Sequence, residues 1–169
     1  PFMFKSIMGQ VSAFAETKEE KLFKANEWFE KGNEDYLNKE YNNAIEAFTK
    51  AIAINPSNAL AYNNRGLAYD KKGQYDRAIE DFNKAIALNP NDADAYNNRG
   101  LAYVNKGQHD RAIEDFNKAI ALNPNDADAY MGRGNAYGYK GQHDRAMRDY
   151  NKAIENYLIC LNIKNSYFL

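Results

Sequence analysis

Asparagine side chains recur along this chain of 169 residues at a spacing that suits contact with another polypeptide. The pair formed by Asn63 and Asn64 returns 34 positions later, and a further asparagine lies upstream. A side-chain amide both donates and accepts hydrogen bonds, so it can bond the N–H and the C=O groups of an extended peptide. We therefore expect these amides to contact a peptide backbone with little dependence on its sequence. The set is Asn33, Asn63, Asn64, Asn97 and Asn98.

The residues that vary between near-identical segments extend this candidate site. Residues 59–92 and 93–126 differ at only four of 34 positions, and three of these differences fall on the first helix predicted for each segment. Variation on one helix face, with constant core residues, is expected where selection has adapted a surface to its ligand. Sequence drift at exposed positions would give the same pattern. The predicted peptide-binding groove comprises Asn33, Asn63, Asn64, Leu67, Lys71, Asn97, Asn98, Leu101, Val104, Asn105, Met131, Asn135 and Tyr139.

No combination of side chains in the sequence points to catalysis. His109 and His143 stand where earlier segments carry Tyr41 and Tyr75, which favours a packing role over chemistry. The single cysteine, Cys160, excludes an intramolecular disulfide and a zinc site built from several thiolates. We therefore expect neither an enzyme nor a bound metal or cofactor.

The charge pattern argues against two classes of partner. The net charge of −1 provides no basic field, so we expect no nucleic-acid binding. No apolar run approaches the roughly 18 residues of a membrane-spanning helix, so we expect no membrane insertion. We expect the recurring residues Arg65, Arg99 and Arg133 to pair with nearby carboxylates. Two acidic pairs are expected instead to be solvated, namely Glu80 with Asp81 and Glu114 with Asp115.

A period of 34 residues predicts that stacked repeats carry the candidate site. Each repeat has the pattern of two helices, which in the second repeat span roughly 60–72 and 77–89. Gly73 is expected to end the first helix, while Asp76 and Asp92 are expected to cap the helices that follow them. The four predicted repeats are residues 25–58, 59–92, 93–126 and 127–160.

The repeat resembles the tetratricopeptide repeat (TPR) family. In the second repeat the motif residues stand at the family's spacing, as Tyr62, Gly66, Tyr69, Ala78, Phe82, Ala85 and Pro90. The resemblance implies an all-α fold, a right-handed superhelical α-solenoid of antiparallel helix pairs whose first helices line a concave groove. It also implies a scaffold for protein–protein interaction that binds an extended peptide or partner segment. Asp35 and Leu158 depart from the motif, where tyrosine and proline are expected.

One kind of domain in this family holds the carboxylate of a C-terminal chaperone tail between basic side chains and asparagines. Asn33 and Asn64 match the asparagines of that clamp. Its three basic positions are occupied here by Phe29, Asp94 and Asn98. Because the tail carboxylate would meet the carboxylate of Asp94 without a compensating cation, the comparison implies no tight binding of acidic chaperone tails.

The two ends of the chain lie outside the predicted repeats. Residues 1–24 have the pattern of a capping helix, but residues 1–15 also resemble the remnant of a targeting signal. The first interpretation favours a cytoplasmic location and the second an exported one. Residues 161–169 form an apolar extension. Because exposed apolar ends favour self-association, a homo-oligomer is expected, and self-assembly through the ends is the alternative function.

Overall fold

The structure is a computed structural model that describes residues 17–166, and the side chains of residues 17–161. Within that range the chain forms eight α-helices and no strand. The predicted N-terminal segment before residue 17, with the candidate targeting remnant, and residues 167–169 lie outside the described residues. The helices are α1 (Lys18–Leu37), α2 (Tyr41–Ile54), α3 (Ala59–Lys71), α4 (Tyr75–Leu88), α5 (Ala93–Asn105), α6 (His109–Leu122), α7 (Ala127–Tyr139) and α8 (His143–Ser166).

The helices pack as a series of antiparallel pairs, α1 with α2 and so on to α7 with α8. The second helix of each pair also packs on the first helix of the next pair. Successive first helices contact one another, whereas in residues 17–166 successive second helices do not. The chain therefore curves with its first helices, here called the inner helices, on the concave side. This confirms the predicted all-α, right-handed superhelical solenoid.

Local capping explains where the inner helices begin. The side chain of Asp92 accepts hydrogen bonds from the backbone N–H groups of Asp94 and Ala95 at 3.0 and 3.2 Å, as predicted for the cap of α5. The predicted cap at Asp76 is wrong. Helix α4 begins at Tyr75, two residues earlier than predicted, with Gln74 at the cap position and no side-chain hydrogen bond there. Asp76 lies in the first turn, where its negative charge favours the helix start.

Glycine ends the inner helices α3, α5 and α7, as predicted. Gly73, Gly107 and Gly141 have φ values of 70°, 72° and 71°, in the left-handed region that glycine adopts without strain. The first repeat carries Lys39 at the corresponding position, with φ of 63°. Each pair of helices therefore turns through the same backbone conformation.

The core consists of small residues packed around one phenylalanine in each interface. Phe48, Phe82 and Phe116 are fully buried. The ring of Phe82 lies so close to Gly66 that a Cβ at that glycine would stand 2.7 Å from the ring carbon Cε1. Glycine is therefore required there because the aromatic ring occupies the space that a side chain would need.

A largely buried arginine fastens each of the inner helices α3, α5 and α7 to the second helices of two pairs, here called the outer helices. Arg99 Nε and Nη2 on α5 donate to both carboxylate oxygens of Asp115 on α6, at 2.8 and 2.6 Å. Arg99 Nη1 donates to Asn83 Oδ1 on α4, in the preceding repeat, at 2.7 Å. Arg65 and Arg133 make the same pattern of contacts.

These contacts confirm the predicted pairing of the arginine column and correct the expectation about the acidic residues. Asp81 and Asp115 are not solvated, since they are only 5% and 6% exposed and each binds an arginine bidentately. Glu80 and Glu114, their neighbours in sequence, are exposed as expected. Adjacent acidic residues thus have opposite environments because successive helical positions point about 100° apart.

The last helix continues beyond the point where earlier repeats turn. Helix α8 runs from His143 to Ser166, and Leu158 stands within it where the three preceding repeats have a proline. Without that proline no local signal ends the helix. Ile154, Leu158, Ile159 and Leu161 are each more than half exposed along α8.

Replacing Asp115 with alanine should destabilise the protein strongly. The change leaves the largely buried Arg99 guanidinium without its carboxylate, which we expect to cost about 3 kcal/mol of unfolding free energy. The matched control Glu114→Ala removes an exposed carboxylate from the next position and should change stability by less than about 0.5 kcal/mol. Urea unfolding followed by circular dichroism measures both variants, and equal midpoints would contradict the role assigned to the ion pair.

Replacing Ala112 with leucine should also lower the melting temperature. Ala112 is fully buried beside Phe116 and Ala136, so additional methyl groups overpack the interface by about 1–3 kcal/mol. Ala121→Leu makes the same change on the exposed face of α6 and serves as the control. An unchanged melting temperature for Ala112→Leu would show that this interface tolerates larger side chains.

Candidate peptide-binding groove

The inner helices carry a row of hydrogen-bonded asparagine side chains, here called the amide row. Asn64 Nδ2 on α3 donates to Asn33 Oδ1 on α1 at 2.9 Å. Asn63 Nδ2 donates to Asn64 Oδ1 at 3.4 Å. Asn98 Nδ2 on α5 donates to Asn63 Oδ1 at 3.1 Å. The row therefore joins three successive inner helices and fixes the orientation of its amides.

The amide row keeps hydrogen-bonding capacity for a ligand. An amide has two N–H donors and an oxygen that can accept twice. Within the row Asn64 donates one hydrogen bond and accepts one, which leaves one donor and one acceptor position free. Asn33, Asn64 and Asn98 are half-buried, so a ligand on the concave side can approach them. Asn63 is only 7% exposed, so it supports the row from behind and does not line the surface as predicted.

The row ends at Asn98 because the next inner helix has no amide at the corresponding position. Gly132 on α7 stands where Asn98 stands on α5, and Asn97 corresponds to Asn63. Asn97 is 9% exposed, and its Oδ1 is buried and accepts no hydrogen bond from the described residues. The ring of Phe116 lies beside Gly132, 2.5 Å from where a Cβ would stand. Asn97 is thus the second predicted groove residue that the fold buries.

An apolar cleft of about 370 Å³ opens beside the end of the row at Asn33. Leu37 is 78% exposed at its edge. Burial raises the pKa of the Tyr36 hydroxyl, and the nearby Tyr41 and Asp70 raise it further. The cleft is large enough to admit an apolar side chain of a ligand. Its lining residues are Asn33, Tyr36, Leu37, Phe48, Asn64 and Leu67.

Besides the core residue Phe48, two residues of this cleft were not among the predicted groove residues, namely Tyr36 and Leu37. They occupy the positions in the first repeat that correspond to Asp70 and Lys71 in the second. Those positions differ between every pair of repeats, so extending the comparison to the first repeat would have identified them.

Four other predicted residues lie at the surface of the inner helices. Leu101 and Met131 are each 39% exposed and add apolar surface on α5 and α7. Lys71 is exposed at the end of α3. Asn105 Nδ2, at the end of α5, donates to Asp70 Oδ1 at 3.2 Å and links the two helices.

The remaining three predicted residues make contacts within the protein. Val104 is half-buried against the alanine and phenylalanine side chains between α6 and α7. Asn135 Oδ1 accepts a hydrogen bond from the Tyr150 hydroxyl at 2.9 Å. The ring of Tyr139 stacks on His109, with centroids 5.0 Å apart and planes 13° apart. Of these three, Val104 mainly packs between repeats, so it contributes little to a surface that a ligand could contact.

Four carboxylates gather where α5 and α7 begin, and they are here called the acidic cluster: Asp92, Asp94, Asp126 and Asp128. Asp92 and Asp126 are helix caps. Asp94 is exposed, yet partial desolvation raises its pKa, and the charges of the other three carboxylates raise it further. The hydroxyl of Tyr157 on α8 donates to Asp128, and this hydrogen bond raises the pKa of Tyr157 to about 12. Within residues 17–161 no lysine or arginine forms an ion pair with the cluster.

Two further kinds of site are absent from the described part of the chain, namely a metal-binding group and a membrane-spanning helix. Residues 17–161 contain no group of three or more histidine, cysteine or acidic side chains arranged to hold a metal ion. None of the described helices combines the length and the hydropathy needed to cross a membrane. The thiol of Cys160 is free and exposed on α8.

The pKa values of the carboxyl groups in the acidic cluster can be measured by NMR titration of labelled aspartate side chains. We expect the pKa of Asp94 to lie above its ordinary value of about 3.9, because partial desolvation and three negative neighbours disfavour its charged form. Removing one neighbour with Asp128→Asn should lower the pKa of Asp94. The control Asp144→Asn removes an exposed carboxylate from α8 and should leave it unchanged. A pKa of Asp94 that ignores both changes would contradict the coupling.

Comparison with known proteins identifies the repeats independently. Residues 59–92, 93–126 and 127–157 each match the family model described as tetratricopeptide repeat. A second model, described as TPR repeat, matches residues 32–73. Together these matches cover well over half of the chain.

Solved structures share this architecture, and a characterised protein contains a segment of similar sequence. A crystal structure of MamA superposes with a TM-score of 0.75 and 31% identity, over 94% of this chain and 87% of that one. The first TPR of Spaghetti (RPAP3), bound to the HSP90 peptide SRMEEVD, has a TM-score of 0.68 and 30% identity over 70% of this chain and 94% of that one. Serine/threonine-protein phosphatase 5 of Homo sapiens is 46% identical over 48 residues, which are 28% of this chain and 10% of that protein.

The chain thus spans about a tenth of the length of the phosphatase, so the likeness concerns the repeats alone. Proteins built from such repeats generally mediate protein–protein interaction, and the repeats themselves are generally non-enzymatic. The matched segments, the eight helices and the superposed structures lead to one conclusion. This chain belongs to the tetratricopeptide repeat family.

Proposed function

We propose that this protein binds an extended segment of a partner protein along its inner helices. The observation that carries the proposal is the amide row, which presents partly free hydrogen-bonding groups from three successive inner helices. An extended peptide offers N–H and C=O groups along its length, so several amides can bond it at once. The surface formed by α1, α3, α5 and α7 is here called the inner groove.

The row is suited to this task because its amides are already held in place. Asn64 is bonded on both sides, to Asn33 and to Asn63, so binding a peptide would immobilise few additional side chains. Preorganised groups lose less conformational entropy on binding and therefore retain more of the interaction free energy. The apolar cleft beside Asn33 supplies a place for one apolar side chain of the partner. Backbone bonds and an apolar anchor together give affinity with moderate sequence preference.

The partner segment should differ from the acidic peptide bound by a similar structure. The RPAP3 domain is described as bound to the HSP90 peptide SRMEEVD. In this chain Phe29, Asp94 and Asn98 replace the basic residues that a carboxylate clamp needs. Because partial desolvation and neighbouring charges already disfavour the charged form of Asp94, a further carboxylate nearby would be repelled. We therefore propose a partner segment that is not acidic at this end of the inner groove.

A second candidate function is self-assembly through the end of the solenoid. It is favoured by the apolar side chains of Ile154, Leu158, Ile159 and Leu161, each more than half exposed on α8. Hydrophobic side chains grouped on one surface often mark a protein interface. Under this alternative a homo-oligomer forms while the inner groove has no ligand.

Removing two amides from the row should weaken peptide binding at least tenfold. The double variant Asn64→Ala with Asn98→Ala loses hydrogen bonds worth about 1 kcal/mol each. The probe is the tightest binder selected from a library of random dodecapeptides on the wild-type protein, and fluorescence anisotropy measures its dissociation constant. The peptide SRMEEVD, included in the same assay, should not bind.

The control for this experiment is the double variant Asn91→Ala with Asn151→Ala, which removes two exposed amides outside the inner helices. It should bind the selected peptide as the wild type does. Circular dichroism checks that all variants keep their helices. If the groove variant binds the peptide normally, peptide binding by the amide row is refuted. If light scattering then shows oligomers that Ile154→Asp dissociates, self-assembly becomes the preferred function.

A further inference from the structure

The last outer helix lacks a neighbour that the earlier outer helices have. Within residues 17–166 helix α8 packs on α7 alone, whereas α2, α4 and α6 also pack on the inner helix of the following repeat. Met147 and Ile154 on α8 are therefore 60% and 56% exposed, while Ile113 and Ile120, their equivalents on α6, are half-buried. The uncovered surface is here called the end face, and it comprises Ala146, Met147, Tyr150, Asn151 and Ile154.

The three covered outer helices all meet small side chains on the helix that covers them. On α7, a Cβ at Gly132 would stand 2.5 Å from the ring of Phe116, and Ala136 packs in the same apolar cluster as that ring. The two earlier interfaces bring an alanine of the covering helix to the corresponding ring, as Ala68 with Phe48 and Ala102 with Phe82. The covering helix therefore needs alanine or glycine where it meets the aromatic ring.

The covering helix also supplies an arginine. Arg133 Nη1 donates to Asn117 Oδ1 at 2.7 Å, and Arg99 Nη1 donates to Asn83 Oδ1 at the same distance. Asn151 is the equivalent residue on α8, and it is exposed and accepts no hydrogen bond from residues 17–161. In all three covering helices the arginine is followed three residues later by the alanine, as Arg65 and Ala68, Arg99 and Ala102, and Arg133 and Ala136.

The aromatic ring of the end face is covered on one side only. The ring of Phe116 adjoins both Gly100 of its own pair and Gly132 of the next pair, and it is fully buried. Tyr150, its equivalent on α8, adjoins Gly134 of its own pair and stays half-buried. The Tyr150 hydroxyl already donates to Asn135 Oδ1 at 2.9 Å, so covering the ring would leave no unbonded hydroxyl.

The first helix of a second copy does not fit the end face. At the positions of the arginine and the alanine, α1 carries Lys31 and Glu34. Lys31 pairs with Asp35 on its own helix, and Glu34 is exposed. Stacking copies in the geometry of the repeats would bury the Glu34 carboxylate against Tyr150, which is costly because a buried charge loses its hydration. The occupant therefore differs from α1.

We propose that the end face binds an amphipathic helix of a partner protein in which an arginine is followed three residues later by an alanine. The arginine bonds Asn151 Oδ1, the alanine packs on the Tyr150 ring, and the helix covers Met147 and Ile154. Removing these apolar side chains from water stabilises the complex. This inference goes beyond the proposed function, since the end face lies outside the inner groove and takes a helix instead of an extended segment.

A peptide with the sequence of residues 92–106 serves as the probe, because it contains α5 and its cap at Asp92. Isolated helices of this length are marginal in water, so Leu101→Lys and Asn105→Asp are introduced and joined as a lactam. Both positions are exposed in α5. In NMR spectra of the full chain, the probe should produce saturable shifts of the Met147 and Ile154 methyl signals. A second probe with Ala102→Glu, which imitates α1, should bind at least about tenfold more weakly.

Variants of the protein locate the binding surface. Ile154→Asp places a charge in the end face and should weaken probe binding at least about tenfold. The matched control Ile159→Asp makes the same change at an equally exposed isoleucine, about 140° further round α8, and should leave binding unchanged. Asn151→Ala should weaken the probe about fivefold, but should not weaken a probe with Arg99→Gln, because that probe lacks the donor for Asn151.

The outcomes separate the partner helix from other occupants of the end face. If the helical probe does not shift the two methyl signals, or binds Ile154→Asp as tightly as the wild type, the proposal is refuted. If light scattering shows oligomers that Ile154→Asp dissociates and the probe does not, a second copy covers the end face and the proposal is again refuted. The variant Asn64→Ala with Asn98→Ala should bind the probe normally, so the failure of groove binding would leave this inference standing.

Discussion

The bidentate ion pair between each inner-helix arginine and its outer-helix aspartate sets the geometry on which the inner groove depends. Arg99 also bonds Asn83 in the preceding repeat, so one side chain fixes the angle within a pair and the spacing between pairs. The amide row requires that spacing, since Asn98 must stand 3.1 Å from Asn63 on the neighbouring helix. A largely buried charged group with several directional hydrogen bonds specifies position more sharply than apolar contact, which tolerates sliding.

The same framework presents different chemistry at the two ends of the inner groove. Near α1 and α3 the amides of Asn33 and Asn64 adjoin an apolar cleft. Near the starts of α5 and α7 the surface carries the carboxylates of Asp94 and Asp128 and no apolar cleft is described there. The amide row does not extend to α7. Because the positions that face the inner groove vary while the phenylalanines and arginines repeat, the two ends of the groove differ in their side chains. A segment bound as proposed would therefore have a preferred orientation.

Much of the fold follows from local sequence signals. The left-handed glycine at Gly73 and the cap at Asp92 act within a few residues, so their effects could be predicted correctly. The groove was harder to predict because exposure depends on neighbouring helices. Val104 has the same helical position as Asp70, yet it packs against the next repeat. Asp115 was expected to be solvated because nothing in its own helix reveals that an arginine sixteen residues earlier reaches it.

The sequence by itself determined the helices, their pairing and the repeat, because hydrophobic period, glycine and capping residues act over short distances. Only the tertiary structure decided what each asparagine does. The stretches 62–66 and 96–100 are identical in sequence, yet Asn63 Oδ1 is hydrogen-bonded and Asn97 Oδ1 is not. The difference arises on the following inner helix, where one repeat supplies an amide and the next supplies Gly132. The hydrogen bonds of a side chain depend on which residues the neighbouring helix places beside it. Those residues lie too far away in the sequence to be read from a local window.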